Sequence, residues 1–456
     1  MGRFSPVGLV QRPTHIRFGV LGFACSLSLL TYLDRVCISR VKGEIRTDLG
    51  LGAVEMGIVL SAFVVGYAIF EVPGGWMGDR WGSRRVITRI VLWWSLFTAL
   101  TGCVWRFAWD SGHEISILGT TVTLGFAGCA LVLVRFLFGC GEAGAYPNLA
   151  RVTGIWFPFR ERAFAQGAVW MCARLGGAVA PVVIGWLTIQ LGWRQAFWFL
   201  GLVGGAWAIA FYTWFRDTPE EKPSCNPAER ELIRAGPPGS EVGGGRLRSY
   251  HAPWRTLLLS ANAWALGLAM FFVSFGWYFY PTWQPDFLKE RFEISFEDSE
   301  ILTGLPFFCG AIGSLLGGKL SDHLVIRTGS RRWGRSLVGF SGFMGAGVCV
   351  MATGYASSDW QAVALLSLAF LINDLAIPVV WAACTDIGGR FSGTVSGFMN
   401  CVGLLGGMLS PTIIPLLRTQ QFAWRTIFVV LGTSWFAGAL CWLYIDASKR
   451  LFVEEV

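Results

Sequence analysis

Histidine, charge and paired cysteine are all scarce in this sequence, and each scarcity removes a class of function. The 456 residues include only four histidines, His15, His113, His251 and His323. All fall in or beside loops, so a proton relay of histidines across a membrane is excluded and any proton must ride on carboxylates. Twelve cysteines sit singly, mostly within apolar runs, with no CxxC pair and no Cys/His cluster. That arrangement suggests neither a disulfide framework nor a metal site, and no cofactor is implied. No Ser/His or Cys/His set converges on a common position, which argues against an enzyme. Charged residues are 14% of the chain against 54% hydrophobic, with a mean hydropathy of +0.52, far from an ordinary soluble domain. The sequence has no N-x-S/T sequon and no signal-cleavage pattern, and Pro6 breaks the myristoylation motif, so the first apolar segment is expected to stay in place.

What the chain has in abundance is apolar segments near the length that a hydrocarbon core of about 30 Å requires. Twelve can be counted, separated by short charged loops. The expectation is an all-α membrane protein of twelve transmembrane helices, with the lipid bilayer as its surroundings. The net charge of +8 does not signal nucleic acid, because most of the 37 Lys and Arg fall in alternate loops, the positive-inside pattern. Both termini are thereby placed in the cytoplasm of a multi-pass plasma-membrane protein, read as a monomer. The 58 glycines include small-residue spacings such as Gly201 with Gly205, Gly313 with Gly317 and Gly403 with Gly407, which suit close helix packing.

Against this apolar background, mid-span charges stand out. In RFLFGCGEAGAYPNLAR, residues 135 to 151, Arg135 and Glu142 lie two helical turns apart on one face, too far apart to satisfy each other, and Pro147 is expected to end the span. An ionisable side chain at mid-bilayer costs about 2.5–3.5 kcal/mol on insertion scales, so that face must meet partners, water or a ligand. Asp34 and Arg35 are adjacent near the end of the first segment and point about 100° apart. Arg40, Lys42 and Arg46 already mark the interface beyond them, which favours a cavity over snorkelling. Arg174 is a third buried arginine, either bonded to backbone carbonyls of a neighbouring span or in contact with a ligand. Asn373 and Asp374 fall mid-membrane, Asn400 lies in a Gly-rich segment, and Tyr67 and Glu71 sit one turn apart. Three arginines thus face three acids (Asp34, Glu142, Asp374), a set that is neutral when ionised and gains one positive charge each time an acid takes a proton.

The run Gly75-x-x-x-Asp79-Arg80-x-Gly82-x-Arg84-Arg85 reproduces the cytoplasmic loop signature of the major facilitator superfamily, which the chain therefore resembles. A degraded copy follows as Gly318-x-x-x-Asp322-His323 with Arg327, Arg331 and Arg332, implying two six-span halves. An acid at a helix end with basic residues beyond it makes charge-assisted contacts that lock one state. Gly75, Asp79, Arg80, Arg84 and Asp322 are accordingly assigned to gating. The halves are expected at residues 1–215 and 256–456, joined by a cytoplasmic linker, 216–255, in which Asn226-Pro227-Ala228-Glu229 starts a short helix.

Within that superfamily the chain resembles the anion:cation symporter family, which includes bacterial carriers of hexuronate, galactonate, glucarate and phthalate and animal vesicular carriers of glutamate and sialic acid. TYLDR, GYAIFEVPGGWMGDRWGSRR, RFLFGCGEAGAYPN, WFPFRERA, GWYFYPTW and GTVSGFMN carry the likeness, nearly end to end. The resemblance implies that Arg35 and Arg135 meet a substrate carboxylate, that Asp34 and Glu142 couple protons, and that Tyr67, Trp381 and Asn400 line the pocket. Arg174 joins the substrate-binding set. Tyr67 and Phe275 stand where the vesicular glutamate carriers have histidine and arginine, so the bacterial sugar-acid carriers are the nearer match. The function this implies is proton-coupled symport of an organic anion such as a hexuronate, aldonate or aldarate by alternating access. The alternatives are an organophosphate:phosphate antiporter, since paired arginines also suit phosphate, and a ligand sensor on the same fold.

Overall fold

The computed structural model describes residues 12–106, 113–117, 120–235, 254–293, 296–419 and 423–451. The chain is a bundle of helices. In order they are α1 (Ile16–Arg40), α2 (Lys42–Leu49), α3 (Ala53–Trp81), α4 (Ser83–Thr101), α5 (Phe126–Glu142), α6 (Ala145–Trp156), α7 (Arg162–Leu191), α8 (Trp193–Trp214) and α9 (Pro227–Arg234). They continue with α10 (Trp254–Leu259), α11 (Ala261–Trp277), α12 (Phe279–Thr282), α13 (Gln284–Phe292), α14 (Phe296–Thr328), α15 (Arg331–Thr353), α16 (Asp359–Gly388), α17 (Ser392–Thr419) and α18 (Trp424–Cys441). Among the described residues the strands form one antiparallel hairpin between α4 and α5, β1 (His113–Ile117) with β2 (Thr120–Leu124), in a link whose sequence carried no clear signal, and a short 3-10 turn (Gly389–Phe391) joins α16 to α17.

Among the described residues nine stretches are long and apolar enough to cross a membrane by length and composition, and one of them, Asp359–Leu417, runs through both α16 and α17. Helix α4, with Arg84, Arg85 and Arg89 in its first two turns, and α14, with charge at both ends, fall outside that set. Large apolar side chains remain on the outside of the bundle, Ile189 at 82% exposure and Val182 at 73% among them, as lipid contact requires.

Helix α1 packs on α7, α3 on α5, and α4 on α8, while later in the chain α11 packs on α17 and α18, α14 on α16, and α15 on α16 and α18. The early and late groups meet along α3 with α17, α6 with α17, α7 with α14, and α7 with α16. Glycine permits the closest of these approaches. A Cβ at Gly313 or Gly317 would run into the α16 backbone at Leu371 or Leu375, whereas Gly205 faces open space and its spacing with Gly201 has no packing role.

Two local expectations are corrected. The span holding Arg135 and Glu142 breaks at Gly144, in the left-handed region at φ 84°, and not at Pro147. Pro147 sits in the first turn of α6, where its missing N–H leaves no helical bond unmade. The expected loop signature is mostly helix: Gly75, Asp79 and Arg80 belong to α3, the turn is Gly82 at φ 86°, and Arg84 opens α4. Asp322 likewise lies inside α14.

Candidate functional site: a cavity between two helix groups

A cavity of about 90 Å³ lies where the two helix groups face each other. Helices α1 and α3 supply Tyr32, Arg35 and Tyr67, α6 and α7 supply Tyr146, Trp170 and Arg174, and the later helices add Ser274, Trp277, Tyr278 and Asn400. The wall is aromatic with two cations set into it. Tyr146 stacks on Trp170 with centroids 4.8 Å apart and planes 13° apart. The Arg35 guanidinium lies 4.6 Å from the Tyr67 ring centroid.

The charges separate into two groups. Arg35 Nε donates to Glu142 Oε1 at 2.5 Å. Arg35 Nη2, Glu142 Oε2, Asp34 Oδ1 and Arg135 Nε are all buried without a hydrogen-bond partner among the described residues. Arg135 does not line the cavity. It is held behind Arg35 with its guanidinium 4.3 Å from the Phe138 ring, in the electrostatic neighbourhood of Asp34, Glu142 and Cys37. Arg174, by contrast, is satisfied. It forms a two-pronged pair with Asp374 across the two helix groups, Nε to Oδ2 at 2.6 Å and Nη2 to Oδ1 at 3.1 Å, and Nη1 donates to the Tyr32 hydroxyl at 3.3 Å. Ser314 and Asn373 donate to the same carboxylate. Trp381 is 1% exposed and does not reach the cavity; it stands one layer back against Tyr146 and Trp170.

The sequence reading assigned no role to Glu71, a fully buried carboxylate. It accepts from the Gly144 N–H at 2.8 Å, from Asn400 Nδ2 at 2.6 Å and from the Tyr67 hydroxyl at 3.5 Å. The signal available was its one-turn spacing from Tyr67 inside an apolar run.

The residues that the motif assigns to gating lie at the end of the bundle that carries α9. Asp79 accepts from the N–H groups of Gly393 and Thr394 at 3.1 and 2.7 Å and from the Thr394 hydroxyl, holding the N-terminus of α17. Asp322 does the same for α7, accepting from Ala163 N–H at 3.3 Å and Phe164 N–H at 2.8 Å. Each acid of the repeated motif therefore binds the positive end of a helix from the other group. The cations are not those of the motif. Arg80 is exposed on Trp76, and Arg84 ties α4 to the end of α8 through the Tyr212 carbonyl. Arg151 approaches Asp79 at 3.8 Å, and Arg335 bridges Asp322 at 2.7 Å and Asp386 at 3.3 Å. Asp386 also takes Arg162 at 2.9 Å. No group of His, Cys, Asp and Glu able to hold a metal ion occurs among the described residues.

Residues 24–411 match the Major Facilitator Superfamily. A probable sulfoacetate transporter of Cupriavidus necator is 34% identical over 94% of both chains. A probable galactarate/D-glucarate transporter of Escherichia coli is 29% identical, covering 98% of this chain and 97% of that one. The hexuronate transporter of Bacillus subtilis is 26% identical over 91% and 90%. Among solved structures, a proton:xylose symporter bound to 6-bromo-6-deoxy-D-glucose superposes with a TM-score of 0.67 over 95% of this chain at 16% identity, which speaks to the fold alone. These relatives are transporters and not enzymes, and their likeness spans almost the whole chain. The chain belongs to the Major Facilitator Superfamily of multi-pass membrane transporters, among relatives that match the anion:cation symporters.

Proposed function

We propose that the chain carries a small organic anion of the sugar-acid class together with a proton, by alternating access between halves at residues 1–215 and 256–456. The observation that carries this reading is the cluster of Asp34, Arg35, Arg135 and Glu142 beside the cavity, in which each residue keeps a buried polar atom without a partner. Such atoms are costly unless something supplies the missing bonds, and an anion's oxygens and a proton are what this set lacks. Proton uptake by Asp34 or Glu142 adds one positive charge beside Arg35 and Arg135, which favours a carboxylate. Arg35 is the cavity cation, Arg135 supports it from behind, and Tyr67 and Asn400 read hydroxyls. Arg174 acts through its pair with Asp374 across the halves, Trp381 backs the aromatic wall, and Asp79 and Asp322 hold the α9 end shut. That end faces the cytoplasm on the positive-inside pattern, with both termini on the same side.

One observation favours a second cargo. A cavity of about 90 Å³ holds a handful of water-sized groups, since each needs roughly 10–15 Å³ of probe-occupied volume. The unpaired indole N–H groups of Trp170 and Trp277 are donors only. A short, acceptor-rich dianion such as a sulfonated carboxylate suits both facts, and one relative is a probable sulfoacetate transporter.

The test is thermal stability of the purified carrier against D-glucarate, D-galacturonate, sulfoacetate, neutral sugars and sugar phosphates. A ligand at 100 times its dissociation constant stabilises by about 2.7 kcal/mol, readily seen as a higher melting temperature. Stabilisation by glucarate or galacturonate without the neutral sugar supports the first cargo, and stabilisation by sulfoacetate alone supports the second. A response to phosphates alone would hand the case to an antiporter. If Glu142→Gln still accumulates the cargo against its gradient when driven by protons, the coupling role of Glu142 is lost.

A further inference from the structure

Glu71 is where the cavity, the helix break and the seam between the two helix groups meet. Its Oε2 takes the amide of Gly144, at the left-handed break between α5 and α6, and its Oε1 takes Asn400 Nδ2 from α17. Asn400 and Tyr67, both bonded to it, line the cavity. The α3–α17 seam is close at this level, because a Cβ at Gly397 would come within 2.9 Å of the Glu71 carbonyl oxygen. Two turns further along α3, Asp79 holds the start of α17. The same seam is thus fastened by two carboxylates, one at its end and one beside the cavity.

Glu71, like Asp34, has no ion-pair partner among the described residues, which sets these two apart from the other buried acids of this region. Glu142 has Arg35, Asp374 has Arg174, and Asp79 has Arg151, while no cation lies within pairing distance of Glu71 among the described residues. The ionisable groups around it are Tyr67 on its own helix, Arg35 on α1, Glu142 on α5 and Cys401 on α17. Arg35 and Glu142 are engaged with each other, so their opposite charges largely offset at Glu71. An anion that took a hydrogen bond from Asn400 would sit next to this carboxylate with nothing between them to neutralise it. Ionised Glu71 and a bound anion therefore exclude each other at Asn400.

We infer that Glu71 is a further proton-accepting residue of the carrier, whose protonation releases Asn400 to an arriving anion and loosens α3 from α17. The inference rests on the proposed proton–anion symport and adds a site to it. In the step itself the carboxylate takes one proton from hydronium of the aqueous side that the cavity faces, which leaves water, and becomes neutral. Of the three bonds the carboxylate accepts, two fall on Oε1, from Asn400 and Tyr67; a proton on Oε1 turns that oxygen into a donor and a weaker acceptor, so its hold on Asn400 is given up first.

The test is proton linkage of anion binding, measured with whichever of D-glucarate or sulfoacetate binds the purified full chain, from pH 5.5 to 8. The slope of log Kd against pH counts linked protons. In Glu71→Gln, which keeps hydrogen bonding and cannot ionise, that slope falls by about one proton, and affinity at pH 8 rises above the wild-type value at pH 8 while the linkage of Asp34 and Glu142 remains. A second variant, Asn400→Leu, leaves Glu71 ionisable without its donor. Its carboxylate protonates more readily, so the pH at which anion binding is half lost moves upward, whatever the overall loss of affinity. An unchanged slope in Glu71→Gln, or an unmoved midpoint in Asn400→Leu where the first variant does not fold, overturns the inference. If the wild type binds neither anion at any pH, the symport reading fails first, a separate outcome from an intact pH-dependent site that ignores Glu71.

Discussion

The α9 end of the bundle and its middle treat buried charge in opposite ways. At the α9 end, Asp79, Asp322 and Asp386 each take two or more hydrogen bonds or ion pairs, from helix N-termini and from Arg151, Arg162 and Arg335. In the middle, Asp34, Arg35, Arg135 and Glu142 share a single short ion pair and leave four buried polar atoms without partners. A network whose carboxylates are all engaged has little left to offer a proton, so its role is to hold a shape, even though Arg151 Nη1 keeps no hydrogen-bond partner among the described residues. A network left incomplete in an otherwise well-packed bundle is where the proposed cargo and proton would find their partners. Arg174 stands between the two cases, because it lines the cavity and yet is paired with Asp374 across the helix groups.

The comparison can be broken at either end by removing one arginine from each. Arg335→Ala leaves Asp322 and Asp386 buried and short of a cation, and breaking a buried pair in this way costs about 3–5 kcal/mol. A melting temperature well below wild type, with cargo affinity retained in the variant that still folds, is the expected result. An unchanged melting temperature would mean that the clamp is ornamental. Arg135→Met should do the reverse. Transport into proteoliposomes falls about 100-fold, equivalent to about 2.7 kcal/mol. Melting temperature holds or rises, because a buried guanidinium with an unpaired Nε is gone. A large loss of stability in Arg135→Met would show that Arg135 belongs with the clamp.

The same contrast explains what the sequence made legible. Apolar segments, the repeated Gly-x-x-x-Asp motif and the mid-span charges are each visible against a uniform background, so the helix order, Arg35, Glu142 and the pairing of Asp79 with Asp322 could be read directly. Arg151, Arg162, Arg335 and Asp386 could not, because charges at the ends of apolar runs are ordinary and nothing local marks them as buried. Trp381, which the resemblance places in the pocket lining, stands one layer behind Tyr146 and Trp170, and a sequence says nothing about which ring stands in front. Glu71 was visible beside Tyr67, but its partners Gly144 and Asn400 lie 73 and 329 residues away. Glu229 read as an ordinary capping residue of α9, and its role emerges only from contacts more than 200 residues distant in the chain.

Glu229 gives the smallest effect and the sharpest control on the clamp, because it lies outside the membrane spans. Its carboxylate accepts from the Thr14 hydroxyl at 2.5 Å, from the N–H groups of Ile16 and Arg17 at 3.1 Å each, and from Arg17 Nη1 at 3.3 Å, tying α9 to the first turn of α1. Burial alone would raise its pKa, but the bonds from Thr14, Arg17 and Ile16 outweigh burial and hold it below the usual glutamate range. A folded-state value that is depressed contributes stability above the unfolded value, about 4.3, and loses it as pH falls through the folded one. Glu229→Gln should therefore lower stability by about 2 kcal/mol at pH 7, within the range for hydrogen bonds to charged groups. The gap to wild type should persist at pH 5 and close only below about pH 4.3. Hydrogen exchange of residues 12–17 and 226–235 reads it locally, with faster exchange in the variant at neutral pH. A gap that is already shrinking at pH 6 would mean that another group supplies the stability, and that the α9 end is held by something other than its satisfied charges.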